Sequence, residues 1–507
     1  MGEFVALKAQ LPELHKVNPA LMSYNVEFAE VTGGTFWKAY TPEQIAGTEP
    51  FVMDPVSSMA ELQKKLMQVY PPINLYDEKL RALAKQFGTQ WVRVSGTWAT
   101  KTYYDFDGET GGVVPEGYLN VLTREQWVGV LDFVKAIGAK LLVSVSACSG
   151  VYGKDEAPVP PWPTHEAEKL FKFSADYGVP IDASEFVNEP NILEDTGFPK
   201  GYTAADHARD QKIFVDWLKA NYPDCLYVGP CTLGEVDIAS ITGKGVGGIE
   251  QLFEMCSTPE LMGDEGTKLD VFSYHFYNGV SERLEASFPD GHWQPEEATS
   301  EEYLACALEA AKTYGEMRDR YCPGGEMWVT EAGDAGGGGN TWAATFLDVF
   351  RTLNEAGSFS EFTDGVLFHN TLASSAYGYL EPETFEPRPN YFAVKLWTDL
   401  MGDAALETGE TVREGVHLYA HSRADGKPGV AYVLINNSRT EATSVELPAP
   451  AEQYLLQGEG GNIRATRLTC NGEPVWIDGN YQVTGLAPVS VEGTVEVPPA
   501  SCAFFVL

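Results

Sequence analysis

The chain is poor in basic residues. Lys and Arg number 35 against 72 Asp and Glu, a formal net charge of -37 over 507 residues. That deficit excludes an extended nucleic-acid surface, because phosphate contacts are made mainly by Lys and Arg. It also disfavours an anionic membrane or a long polyanion, which the overall field repels. No run approaches the ~18 consecutive apolar residues of a membrane-crossing helix. The opening MGEFVALKAQLPELHKVNPA lacks the basic stretch and apolar core of a secretory leader, which gives cytoplasmic as the expected location.

Motifs for several chemistries are missing as well. The eight cysteines (148, 225, 231, 256, 306, 322, 470 and 502) form no C-x-x-C pair, so they read as buried thiols in a reducing compartment. No H-E-x-x-H or similar ligand spacing supports a bound zinc. No G-x-S-x-G elbow or phosphate-binding loop occurs. Gly243, Gly245 and Gly248 match a G-x-G-x-x-G spacing, but no strong strand leads into them and no acidic ribose partner follows. The expectation is an enzyme without metal or organic cofactor, acting on a small molecule.

What is present is an alternation. Apolar residues make up 44% and charged residues 21%, ordinary values for a globular chain. Short apolar runs read as strands at 22–31, 91–96, 141–147, 181–188, 225–230, 269–277, 327–332 and 364–370. Amphipathic patterns between them predict helices, among others over 124–138, 208–222, 301–321 and 340–357. Eight apolar strands, each followed by a helix, predict a (β/α)₈ TIM barrel over residues 21–403, with a doubly wound open sheet as the alternative. This span exceeds the ~250 residues usual for such a barrel. Insertions are expected at 105–120 and 281–300, the second carrying Trp293 toward one end of a cleft. Residues 404–507 lose the helical period and alternate in short runs between Gly, Asn and Pro, the pattern of a C-terminal β-sandwich. Residues 1–20 form an N-terminal segment that could join that sandwich.

Two glutamates fall where a barrel exposes its reactive groups. Glu189 closes the fourth strand in EFVNEPN and Glu331 closes the seventh in MWVTEAG. Carboxyl-terminal strand ends face the mouth of a barrel. Two carboxyls across one glycosidic bond supply the proton and the attacking group of its hydrolysis, at ~5–5.5 Å for retention or ~6.5–9.5 Å for inversion. Singly, each would pass for a surface carboxylate.

Longer segments carry a resemblance. Asn-Glu at the end of strand four and Glu at the end of strand seven look like the large clan of retaining glycosidases. The run EAGDAGGGGN (331–340) is similar to the nucleophile and glycine-rich loop of heparanases and related β-glucuronidases. YLEPETFEPRPNYFAVKLWTDLMG (379–402), WVRVSGTWATKTYYDF (91–106), and the endings QYLLQ and PPASCAFFVL also resemble that family, glycoside hydrolase family 79. The resemblance implies a retaining β-glucuronidase with Glu189 as general acid/base and Glu331 as nucleophile. It implies Asn188 on the sugar 2-hydroxyl, Glu27 and Thr97 on the other hydroxyls, and His275 and Tyr277 beside the nucleophile. The uronate carboxylate would rest on the amides of Gly337 and Gly338 and on Tyr377, with Tyr379 the alternative. Glycine backbones can converge their N–H groups into an anion nest. A strand histidine is otherwise most often a core residue, and a four-glycine run otherwise a loose loop. Exo action on small glucuronides is preferred over internal cleavage of a heparan-like polymer, because the net charge repels sulfated chains. A glucosidase or xylosidase without uronate preference and a non-catalytic sugar-binding protein are the alternatives.

Overall fold

The computed structural model describes residues 4–54, 59–193, 196–234, 255–264 and 266–507. The glycine motif at 243–248 lies outside the described residues. Eight parallel strands close a barrel: β1 (Met22–Glu27), β2 (Trp91–Ser95), β3 (Lys140–Val143), β4 (Ala183–Ser184), β5 (Leu226–Leu233), β6 (Val271–Tyr277), β7 (Glu326–Gly333) and β8 (Leu367–His369). The (β/α)₈ fold class predicted from the alternation is therefore borne out. Each strand buries both faces because helices cover the outside and side chains fill the inside, hence the unbroken apolar runs.

The helices form where cap and stripe coincide. Arg124–Ile137 starts at a reciprocal cap between Thr123 and Gln126 and turns Trp127, Val130, Leu131 and Val134 into the core. Burying each such side chain contributes about 1.5–3 kcal/mol against leaving it in water. Inside the barrel, inward positions stack in layers. Trp91, Leu142, Ala183, Val228, Val271, Trp328 and Phe368 form an apolar floor. One layer up, Asn25, Arg93, Glu185 and Ser273 replace them with buried polar groups.

Several sequence expectations need correction. The strand expected over 22–31 ends at Glu27, and Phe28–Thr32 is a short helix capped reciprocally by Glu27 and Glu30. The helix expected from 340 begins at Leu347. Residues ahead of it bond elsewhere: the Thr341 N–H donates to Glu282, and the Phe346 N–H to the Ala465 carbonyl. Trp293 does not face a cleft. It is buried against Tyr303, and its indole N–H donates to the Asn278 carbonyl at 2.8 Å.

Beyond the barrel, a nine-stranded sheet takes in Glu13–Lys16, Met401–Leu406, Val416–Arg423, Val430–Asn436, Ala451–Gly458 and Ser501–Val506. A three-stranded sheet of Phe4–Ala6, Thr443–Glu446 and Thr494–Val497 lies apart from it in pairing. Strand periodicity divides the large sheet between two cores. Leu418, Ala420, Tyr432, Leu434, Ala503 and Phe505 pack with Val5 and Val445 of the small sheet. Tyr419, Val433 and Phe504, on the other face, join the core of the barrel and its helices. Helix Leu347–Phe362 is wedged there, so close that a Cβ on Gly357 would meet Tyr419 at 2.1 Å. All eight cysteines are free thiols. Among the described residues, no helix is long and apolar enough to cross a membrane.

Candidate active site

The barrel mouth brings residues from Glu27 to Tyr377 together around one cluster of carboxyls. Glu331 reaches it through a bulge in β7. Tyr274 pairs with Val329 and His275 with Glu331, so Thr330 is skipped. Trp328 points into the floor, and unbroken alternation would send Thr330 inward and Glu331 outward. The bulge reverses the phase.

The Glu331 carboxylate is held at both oxygens. Arg93 Nη1 donates to Oε1 at 2.9 Å, and the Tyr277 hydroxyl donates to Oε2 at 2.7 Å. Burial alone would raise this carboxyl; the charges of His275 and Arg93, with the Tyr277 and Arg93 hydrogen bonds, outweigh it and hold Glu331 below the ordinary carboxylate value. Tyr277 shifts the other way, pushed well up by its burial and then by the Glu331 charge, so it stays a donor.

Glu189 follows β4 in a left-handed backbone conformation, φ 45°, that is uncommon outside glycine. His275 Nδ1 sits 2.9 Å from Glu189 Oε1 and 3.7 Å from Glu331 Oε2. One oxygen from each carboxyl and a ring nitrogen of His275 lie within 4.8 Å of one another. Such a trio has a spacing a cation could use, but the Arg93 guanidinium already neutralises the same carboxylate.

Arg93 organises the floor of the site and was missed among the site residues read from the sequence. It is fully buried, and it forks onto Glu185 at 2.8 and 2.9 Å. It also donates to Asn188 Oδ1 at 2.8 Å. That bond turns the amide nitrogen of Asn188, its donor end, away from the guanidinium. Glu185, buried and further bonded by Ser144 Oγ at 2.7 Å, was missed too. An Arg at an inward strand position, two residues from the apolar floor residue Trp91, was the available signal.

Glu27 ends β1 and is nearly fully buried. Burial first, and then the Glu331 charge, push its carboxyl well above the ordinary value. Gly96, at φ +103°, makes room for it: a Cβ there would lie 1.9 Å from Glu27 Oε2. Thr97 follows at the same rim, half-buried. Asn370 Nδ2 joins two phenols, donating to Tyr277 at 2.8 Å and Tyr377 at 3.2 Å. Those rings stack with centroids 6.3 Å apart. Tyr379 stacks instead on His369, 3.9 Å away, and meets Phe87 edge-on, so of the two tyrosines Tyr377 reaches the cluster.

The glycine run is ordered by its outer side. The Gly336 N–H donates to the Gly279 carbonyl at 2.9 Å and the Gly339 N–H to the Ala335 carbonyl at 3.2 Å. The N–H groups of Gly337 and Gly338 meet no protein acceptor among the described residues. Both residues have φ near +90°, which glycine adopts without strain.

No family model matches the chain. It is similar to heparanase-like protein 2 of Arabidopsis thaliana, 24% identical over 506 residues that cover 86% of this chain and 85% of that one. It is also similar to the baicalin-β-D-glucuronidase of Scutellaria baicalensis, 23% identical with 85% and 83% covered. Among solved structures it superposes on a 4-O-α-L-rhamnosyl-β-D-glucuronidase from Fusarium oxysporum with a TM-score of 0.64 at 12% identity, covering 99% of this chain and 100% of that one. The resemblance read from the sequence and the assignment as a glycosidase are borne out.

Proposed function

We propose that this relative of the heparanase-like glycosidases is a retaining exo-β-glucuronidase that removes terminal glucuronic acid from small β-glucuronides. The observation that carries the reading is that one oxygen of Glu189 and one of Glu331 lie within 4.8 Å of each other. So close an approach favours the ~5–5.5 Å carboxyl spacing of retaining enzymes over the ~6.5–9.5 Å of inverting ones. In the first step Glu331 attacks the anomeric carbon while Glu189 gives its proton to the departing oxygen. The glycosyl ester on Glu331 is then hydrolysed by a water that Glu189 deprotonates, which regenerates both groups.

The ionisation of Glu331 fits the nucleophile role, since it is held as a carboxylate. Asn188, with its oxygen engaged by Arg93, has its amide N–H groups for the sugar 2-hydroxyl. The uronate preference is supported by the amides of Gly337 and Gly338, unpartnered among the described residues, and by the hydroxyl of Tyr377, which Asn370 ties to Tyr277 at the cluster. It is supported too by the baicalin-β-D-glucuronidase among the relatives. Neutral donors hold an anion without needing a cationic pocket. Exo action is favoured by the charge of -37, which repels a long sulfated polymer.

A panel of aryl β-glycosides differing only at C6 tests the reading. The glucuronide should be cleaved with its anomeric configuration kept, and Glu331→Gln should abolish turnover. A glucoside cleaved within about tenfold of the glucuronide would remove the uronate claim, because a site built to bond a carboxylate discriminates by more than one lost hydrogen bond. Inversion at the anomeric carbon would remove the retaining assignment.

A further inference from the structure

The amides of Gly337 and Gly338 do not face the site by themselves. In a trans peptide the N–H points opposite to the preceding carbonyl, so whatever holds the carbonyls of this run aims its amides. The Gly336 carbonyl accepts from the Ser281 N–H at 2.9 Å. The Gly337 carbonyl accepts from Ser281 Oγ at 3.0 Å and Arg283 Nη1 at 3.2 Å. The same Arg283 nitrogen bonds the Gly339 carbonyl at 2.8 Å, while Nη2 bonds the Lys38 carbonyl at 2.6 Å. Its guanidinium lies 3.7 Å from the centroid of Tyr40, whose hydroxyl donates to the Gly339 carbonyl at 3.0 Å.

Arg283 is almost completely buried and, among the described residues, has no carboxylate as a hydrogen-bond partner. A buried guanidinium bonded to neutral carbonyls is costly unless its charge is used. Here the charge stands behind the peptide that carries the free Gly338 amide.

We propose that Arg283 is the positioning residue that sets uronate specificity. Its bond to the Gly337 carbonyl turns the Gly338 amide toward the sugar, and its bond to the Gly339 carbonyl pins the end of the run, whose next N–H, of Asn340, is held by Asp334. Its charge lends positive potential to the cradle. The inference rests on the uronate reading above and deepens it. Arg283 touches no reacting atom, so its loss should act on recognition of the C6 carboxylate and leave the chemistry at the anomeric carbon largely intact.

The test compares wild type with Arg283→Met and Arg283→Lys on an aryl glucuronide and the matching glucoside. Arg283→Met should lower kcat/KM for the glucuronide by tenfold or more, mainly through KM, and change that for the glucoside by less than about threefold. Arg283→Lys, which keeps charge with fewer donors, should fall between. Equal losses on both substrates, or an unchanged ratio, would overturn the proposal. If Arg283→Met fails to fold, Ser281→Ala removes the other side-chain donor to the Gly337 carbonyl, and the ratio must still drop. A wild-type protein without glucuronide preference would instead refute the uronate reading itself, before any variant is made.

Discussion

Arg93 and Glu331 meet at 2.9 Å although 238 residues separate them in the chain. The same guanidinium forks onto Glu185, so one cation serves two buried carboxylates from β7 and the end of β4. Burial works against the charge on Arg93, and the two carboxylates outweigh it. Removing the cation should therefore be costly. Arg93→Met is expected to destabilise the protein by about 3–5 kcal/mol, the usual result of leaving a buried charge unpaired. Adding Glu185→Leu should restore much of that stability while activity stays lost, because Glu331 and Asn188 remain unsupported. Denaturant unfolding of the single and double variants, beside their turnover, checks both halves.

Tyr277 sets the ionisation of Glu331 together with His275 and Arg93. Its hydrogen bond at 2.7 Å is to a charged acceptor, worth ~1.5–3 kcal/mol. Tyr277→Phe should cut kcat by about 10–100-fold. It should also raise the Glu331 pKa, so the acid limb of the kcat/KM profile moves to higher pH. An unmoved acid limb would separate Tyr277 from the nucleophile.

Gly96 is a steric requirement of Glu27. An alanine Cβ would stand 1.9 Å from the carboxylate oxygen, at a positive φ of 103° that adds backbone strain. Gly96→Ala should displace Glu27 and raise KM for the glucuronide and glucoside alike. A crystal structure of the variant would show the moved carboxylate.

Stability should fall from mildly acidic toward alkaline pH. Burial raises Glu30 to about 8 and, with the neighbouring Asp348 charge, Asp334 to about 7. A carboxyl whose folded pKa exceeds its unfolded value stabilises fully below the unfolded value and loses that contribution as pH rises through the folded one. Tm should decline between about pH 5 and 8, and Glu30→Gln should flatten the decline by on the order of a few °C. Buried His207 and His421, both lowered to about 4 by burial, act at the other side. Their contribution is present above the unfolded value and is lost as pH falls through about 4.

Much of the architecture was legible because it is local. The eight apolar runs at 22–31 through 364–370 each overlap one barrel strand, and the loss of helical period after 404 coincides with antiparallel pairing. A strand buried on both faces must be apolar at every position, and a helix must carry a stripe. Those rules act over a few residues and so are written in short stretches. Boundaries were less legible: the segment 340–346 has a helical pattern, yet its hydrogen bonds go to Glu282 and Ala465, distant partners that no window contains.

Sequence alone singled out Glu189 and Glu331 and the glycine run after the second, although Glu189 lies five residues past the end of β4 and Glu331 two short of the end of β7. It also argued against an extended cationic surface, since 35 basic residues stand against 72 acidic ones. Tertiary structure decided which way those groups face. Alternation along β7 points Glu331 out of the barrel, and only pairing with β6, which skips Thr330, turns it in. Arg93 and Arg283 looked like ordinary basic residues until closure of the barrel set one beneath the nucleophile and the other behind the glycine amides. The physical reason is that side-chain direction in a strand follows from register with its neighbours, and a buried cation is defined by partners hundreds of residues away.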